Sequence, residues 1–172
     1  MATEIKILSV VEEDIPAIQS IYAYHVLNGL GTFEEIAPTI EEMTERYSKI
    51  TTAGFPYLVA KLHDKVVGYA YAGHFRERSA YKFTVEDSIY VDPEYTGNQI
   101  GSLLLQELIQ LSKVHGFKQM FALIGDSNNW GSIKLHERHN FERIGVMKNA
   151  GYKFGKFVDV VIMQLNLEWG IK

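Results

Sequence analysis

The stretch VDPEYTGNQIGSLLLQELIQ, residues 91–110, constrains the fold more tightly than any other part of the chain. It joins a polar turn directly to an apolar stripe, Ile100, Leu104, Leu108 and Leu111, at helical spacing. A turn that opens straight onto a helix leaves backbone N–H groups without partners at the positive end of the helix dipole, a setting suited to an anion. An ordinary strand-to-helix connection has the same look, so the rest of the chain must decide between the two. The preceding residues 81–91, YKFTVEDSIYV, are rich in β-branched and aromatic side chains and predict a long strand. Gly116 offers a left-handed end to the helix over 100–115.

The remaining elements alternate between the two periods. IKILSV (5–10) predicts a first strand. In EEDIPAIQSIYAYHV (12–26), Ile15, Ile18, Tyr22 and Val26 recur at 3, 4 and 4, and the acidic first turn with Pro16 suits a helix start. Thr39 and Glu42 have capping-box spacing ahead of Met43, Tyr47 and Ile50, which predicts a second helix. PYLVAKL and VVGYAYAGHF flank HDK and predict an antiparallel hairpin. QMFALI (119–124) reads as a buried strand, and NNWGSIKLHERH (128–139) as a short helix with an asparagine cap and Asn140 in the left-handed position after it. FERIGVM and VDVVIMQLNL read as closing strands. The sum is an α/β (α+β) chain, with one mixed, mostly antiparallel sheet flanked by helices on both faces. No repeat or linker divides the 172 residues, so one domain over 1–172 is expected.

Several functional classes recede. A net charge of −4 without clustered Lys and Arg argues against nucleic acid, since RER at 76–78 is the densest basic spot. The absence of cysteine removes disulfides, thiolate metal sites and cysteine nucleophiles. His63, His74 and His115 are scattered, and His136 with His139 lacks the glutamate placement of H-E-x-x-H, so no metal is expected. The N-terminus has no basic region followed by a long apolar core, and no apolar run approaches the roughly 18 residues of a membrane span. A cytoplasmic protein with no membrane partner is the expectation.

The element order, together with AYKFTVEDSIYVDPEYTGNQIGS, GFKQMFALIG, NNWGSIKLHERHNF and AGYKFGKFVDVVIMQLNL, resembles the GNAT superfamily of N-acetyltransferases, and within it the phosphinothricin and methionine-sulfoximine N-acetyltransferases. The resemblance covers nearly the whole chain. It implies acetyl-CoA as the acetyl donor, with the coenzyme A pyrophosphate on Gly97, Asn98, Gln99, Ile100, Gly101 and Ser102. The superfamily's loop reads Q/R-x-x-G-x-G/A; here Thr96 replaces the Gln or Arg and Gln99 replaces the first Gly. A negative φ at Gln99 would accommodate that change, while Gly97 and Gly101 leave room for the backbone to approach a phosphate. Ile89, Tyr90 and Val91 would offer main-chain groups to the pantetheine arm. Asn129 matches the residue that meets its amides, or serves as a plain helix cap. His136 falls near the expected sulfur, as proton donor or as packing.

Acetyl transfer to an amine needs a base, because an alkylammonium is mostly charged at neutral pH. Glu86 matches the family's glutamate. It sits mid-strand, where β-propensity disfavours a carboxylate, although an outward-facing surface role shared with Thr84 and Ser88 is the plain alternative. Asp87 points to the other face unless a bulge intervenes. Arg76, flanked by Glu77 and Arg78, is expected either to take a substrate carboxylate or to form a solvated surface; the resemblance implies that this loop and the start of the TVEDS strand, with Glu86, Asp87 and Ser88, shape the acceptor pocket, and Phe33 is a candidate pocket wall. Phe157 stands where some relatives have Trp. The acceptor implied is a small amino-acid analogue, and the assembly a homodimer built on the closing strands. A peptide N-terminus or a polyamine as acceptor, and a coenzyme A-binding module without catalysis, are the competing readings.

Overall fold

The computed structural model describes residues 4–168. The elements follow the order β1 (Lys6–Ser9), α1 (Ile15–Asn28), α2 (Ile40–Thr52), β2 (Tyr57–Leu62), β3 (Lys65–His74), β4 (Thr84–Val91), α3 (Ile100–Val114), β5 (Gln119–Gly125), α4 (Trp130–Arg138), β6 (Glu142–Lys153) and β7 (Lys156–Asn166). The strands form one sheet in the order β1-β2-β3-β4-β5-β7-β6. Every pairing is antiparallel except β4 with β5.

Local chemistry explains most boundaries. Residues 12–14 form a 3-10 turn rather than the start of the helix; Asp14 accepts from the Val11 amide and pairs with Lys61 at 2.6 Å, so α1 begins at Ile15 with Pro16 in its first turn. The capping box at α2 is formed in both directions, Glu42 amide to Thr39 Oγ1 at 3.2 Å and Thr39 amide to Glu42 Oε2 at 2.8 Å. His63 and Asp64 both have positive φ, 47° and 65°, as a tight two-residue hairpin turn demands. Asn140 takes the left-handed position after α4 at φ 66°.

Two strand boundaries differ from expectation. β4 begins at Thr84, not Tyr81, because β3 ends at His74 opposite Val85 and leaves the earlier residues without a ladder partner; residues 79–81 turn instead. β6 runs on to Lys153, well past the expected end at Met147, after register shifts between Arg143 and Gly145 and between Met147 and Gly151. The second irregularity is held by Asp159, which accepts from the Asn149 amide at 2.9 Å and from Lys148 at 3.1 Å.

The sheet is covered on both faces. Ile15, Ile18 and Val26 of α1 with Met43 of α2 pack on one side, beside Tyr57 and Tyr69. Ile100, Leu104, Leu105 and Leu108 of α3 and Ile133 of α4 pack on the other, against Ala70, Val85, Met120 and Met163. Each such fully buried aliphatic chain contributes about 1.5–3 kcal/mol. The start of α3 approaches β3 closely at Gly68, where an added Cβ would lie 2.9 Å from Ile100 Cγ2 and 3.2 Å from the Tyr90 carbonyl oxygen. The carbonyl belongs to the sheet and cannot yield. Gly68→Ala is therefore expected to destabilise the protein by about 1–3 kcal/mol, read as a lower urea midpoint; an unchanged midpoint would show that α3 is free to shift.

Candidate functional site

β4 and β5 pair from Thr84 with Gln119 to Glu86 with Phe121, and then part. The fork opens onto a cavity of about 710 Å³ lined by Glu86–Tyr90 on one strand and Leu123–Gly125 on the other. Residues Gly29–Phe33, between α1 and α2, close one side; Asn129, Ser132 and His136 close another.

The two acidic neighbours on β4 face different surroundings. The register with β3, Gly73 with Glu86 and Ala72 with Asp87, has no bulge, so the side chains point to opposite faces. Glu86 lines the cavity, and burial, reinforced by the charge of Asp87 and partly offset by Arg76, pushes its carboxyl up to about 7. Asp87 is buried against α4, its Oδ2 2.8 Å from His136 Nε2. The other ring nitrogen, Nδ1, donates to the Ser132 carbonyl at 2.7 Å. With an acceptor at each nitrogen the ring is favoured as an imidazolium: burial opposes the charge, but the Asp87 carboxylate and the Ser132 carbonyl outweigh it and raise the pKa.

The turn before α3 departs from expectation at one residue. Gln99 has φ +61°, not negative, and Gly97 has φ +84°. The left-handed bend at Gln99 is what lets Ile100, 2% exposed, enter the core directly after the turn. Gln99 makes no side-chain cap, and the first intrahelical bond runs from the Leu103 amide to the Gln99 carbonyl. The amides of Ile100, Gly101 and Ser102 therefore have no intrahelical acceptor and are available to an anion. Asn98 braces the turn by donating to the Tyr95 carbonyl at 3.0 Å.

Gly101 and Ser102 also have contacts within the fold. An added Cβ at Gly101 would meet Leu135 Cδ2 at 3.3 Å, so the residue sits at a close seam between α3 and α4. The Ser102 hydroxyl is engaged with His139 Nε2 at 2.8 Å, a histidine that burial and the nearby His136 charge hold below its usual pKa.

Of the other expected residues, Ile89 and Tyr90 line the cavity, while the Val91 carbonyl accepts from His25 Nε2 at 2.8 Å. Asn129 is a true cap, its Oδ1 accepting from the Ser132 amide at 3.2 Å, and its Nδ2 reaches the Gly125 carbonyl at 3.4 Å. Phe33 and Ser88 line the cavity. Arg76, Glu77 and Arg78 do not; they lie exposed in the loop after β3, with the Arg76 guanidinium 4.4 Å from the Phe75 ring centroid and near enough to Glu86 to lower its pKa. Among the described residues no cluster of three or more His, Cys, Asp or Glu is arranged to hold a metal, and no helix is long and apolar enough to cross a membrane.

Sequence reasoning missed His25, Thr32 and Lys153. Thr32 bonds Tyr22 at 2.9 Å; Tyr22 also donates to Glu34, which takes a two-pronged contact from Arg46 at 3.0 and 2.6 Å. The one signal in the sequence is the lysine that interrupts the aromatic run Tyr152-Lys153-Phe154.

A fork in the sheet that opens onto a cavity, an uncapped helix end, and a carboxyl raised to about 7 beside that cavity make up the candidate site. The sequence matches the family model of an acetyltransferase (GNAT) domain over residues 7–162. It is 46% identical over 159 residues to a phosphinothricin N-acetyltransferase from Alcaligenes faecalis, covering 92% of this chain and 81% of that one. It is 36% identical over 156 residues to an L-methionine sulfoximine/L-methionine sulfone acetyltransferase from Pseudomonas paraeruginosa, covering 90% of each. A phosphinothricin acetyltransferase from Sinorhizobium meliloti, solved in complex with AcCoA, superposes with a TM-score of 0.91 at 44% identity, over 94% of this chain and 88% of that one. The chain belongs to the GNAT acetyltransferase family and is an N-acetyltransferase.

A non-glycine residue in the left-handed region costs about 1–2 kcal/mol. Gln99→Gly is accordingly expected to raise the urea midpoint by the equivalent of about 1 kcal/mol. A lower midpoint would mean that the Gln99 side chain has a stabilising contact of its own.

Proposed function

We propose that the protein moves an acetyl group from acetyl-CoA to the α-amine of a small zwitterionic amino-acid analogue of the phosphinothricin or methionine sulfoximine/sulfone type, by direct attack with Glu86 as base. The observation that carries this reading is Glu86 itself, a carboxyl raised to about 7 and facing the cavity at the fork of β4 and β5. The named relatives support the acceptor class.

When bound, acetyl-CoA supplies an activated thioester. The open amides of Ile100–Ser102, with Gly97 and Gln99 shaping the turn, hold its diphosphate. Ile89 and Tyr90 line the path of the arm, and the main chain near Ile89 donates to the developing oxyanion. Glu86 accepts the proton that a substrate ammonium must lose before its nitrogen can attack. A carboxyl near 7 is a far stronger base than an ordinary carboxylate and is still ionised in about half of molecules at neutral pH. His136, whose ring nitrogens are both engaged, by Asp87 and by the Ser132 carbonyl, keeps no N–H free for the departing sulfur; lining the cavity, it favours the developing thiolate through the positive charge that Asp87 promotes. Among the described residues no Lys or Arg lines the cavity, so we assign the acceptor carboxylate to Arg76, the cation whose charge reaches Glu86. We place a homodimer on the β6–β7 hairpin, where Ile144, Met147, Tyr152, Phe154 and Phe157 are exposed.

Glu86→Gln is expected to lower kcat by about 10²–10⁴-fold with little change in acetyl-CoA affinity. In the wild type, kcat should rise as pH passes through about 7, where Glu86 ionises. The stability consequence has the opposite sense. A raised carboxyl favours the protonated fold, so its contribution is complete below the ordinary carboxylate range and is lost as pH climbs through about 7. Wild type should therefore lose thermal stability relative to Glu86→Gln between about pH 5 and about pH 8. A variant within about threefold of wild-type turnover, well below that range, would remove Glu86 as the base.

Arg76→Ala should raise the KM for phosphinothricin or methionine sulfoximine more than about tenfold while leaving acetyl-CoA affinity unchanged. Steady-state kinetics with both substrates varied decides this. Efficient acetylation of spermidine or a peptide N-terminus, with both analogues ignored, would refute the acceptor class.

A further inference from the structure

We infer that the acceptor side of the cavity is fixed by a latch on β6: Lys153 and Gly151 are positioning residues that hold the Gly29–Phe33 loop and set where the Phe33 ring stands. This rests on the acetyl-transfer reading for its substrate consequence, though the latch is a feature of the fold alone.

Lys153 is 1% exposed, a rare location for a lysine. Its Nζ donates to the Gly29 carbonyl and to the Thr32 carbonyl, both at 2.7 Å. Burial lowers its pKa, while Glu35 and Glu34 pull it back up. An apolar side chain of similar length would avoid the desolvation cost of a buried ammonium. What it could not do is satisfy two carbonyls of an irregular loop, which a buried loop must have satisfied by some donor. The cation is thus matched to the loop, not to the core.

Gly151 lies two residues earlier on β6, toward the same face. An added Cβ there would sit 2.3, 2.6 and 2.7 Å from three atoms of the Phe33 ring, so the ring lies directly on the strand backbone. Gly125 completes the notch. An added Cβ on that β5 residue would be 2.0 Å from the Leu30 carbonyl oxygen and 3.3 Å from Phe33 Cε1. The loop is inlaid between two glycines and pinned by one lysine. Thr32 is gripped twice, its carbonyl by Lys153 and its hydroxyl by Tyr22. The held residues, Gly29 to Phe33, line the cavity that Glu86 faces, so their position determines how an acceptor amine meets that carboxylate.

The test uses the full chain. In Lys153→Met, amide hydrogen exchange at residues 29–34 should accelerate at least about tenfold while β4 amides keep wild-type rates. The KM for phosphinothricin should rise more than about tenfold, with acetyl-CoA affinity by calorimetry within about twofold of wild type. Exchange unchanged at 29–34, or acetyl-CoA affinity falling in step with KM, would overturn the proposal, the second because it marks general damage. Gly151→Ala supplies the check should Lys153→Met fail to fold. It should raise KM in the Phe33 background and be silent once Phe33→Ala has emptied the notch. Equal effects in both backgrounds would show that the ring does not rest on Gly151. Should wild type acetylate no amino-acid analogue, the acceptor class falls, and the exchange measurement still decides the latch.

Discussion

The structure depends on where one parallel pairing stops. β4 and β5 share a ladder from Thr84 to Glu86 and no further, although both strands continue. Up to that point the sheet is an ordinary seven-stranded frame with a covered core on each face. Past it, two strands part and the sheet acquires an internal edge. Edge strands present unpaired main-chain groups, and here they face a cavity instead of open solvent. β-Augmentation by an extended ligand uses such an edge. The same parting leaves Glu86 at the last paired position, fixed by the ladder and yet open to the cavity.

Strand alternation then separates the chemistry. Adjacent carboxylates on a strand face opposite ways, so Glu86 and Asp87 are given different surroundings without any special loop. Glu86 is left half-desolvated with no hydrogen-bonding cation, and its pKa rises. Asp87 is buried against a histidine whose pKa it helps to raise against the opposing effect of burial. Each modifies the other across the backbone: the charge of Asp87 is the second cause, after burial, of the shift at Glu86. Two carboxylates with different surroundings, one facing the cavity and one paired with His136 of α4, therefore arise from neighbouring residues on one rigid strand, a more precise support than a loop.

The loops complete what the sheet begins. The turn before α3 accepts a left-handed Gln99 and leaves the first amides of the helix uncapped. That arrangement is costly for stability and useful for an anion, the pattern expected where function and local preference conflict. On the other side of the cavity, the loop between α1 and α2 has no regular structure of its own and borrows its shape from Lys153, Tyr22 and the glycines of β5 and β6.

The sequence by itself determined what depends on neighbours in the chain. Helical and strand periods, the Thr39–Glu42 box, the His63-Asp64 turn, Gly116 and the Asn129 cap are all local, and each element appears close to its expected place. The family motifs likewise made Glu86, His136 and the turn at 97–102 legible as candidates. Tertiary structure decided what depends on distant contacts. The start of β4 was set by the end of β3, and the length of β6 by Asp159 holding its irregular stretch. The φ of Gln99 was set by the demand of Ile100 for the core, and the partner of Ser102 by a histidine at the far end of α4. Lys153 meets carbonyls 124 and 121 residues away, and no local pattern can specify a contact at that range. Charge follows the same division: the sequence names the ionisable groups, while burial and partners, which exist only in the folded chain, shift the pKa values of Glu86 and His136 upward.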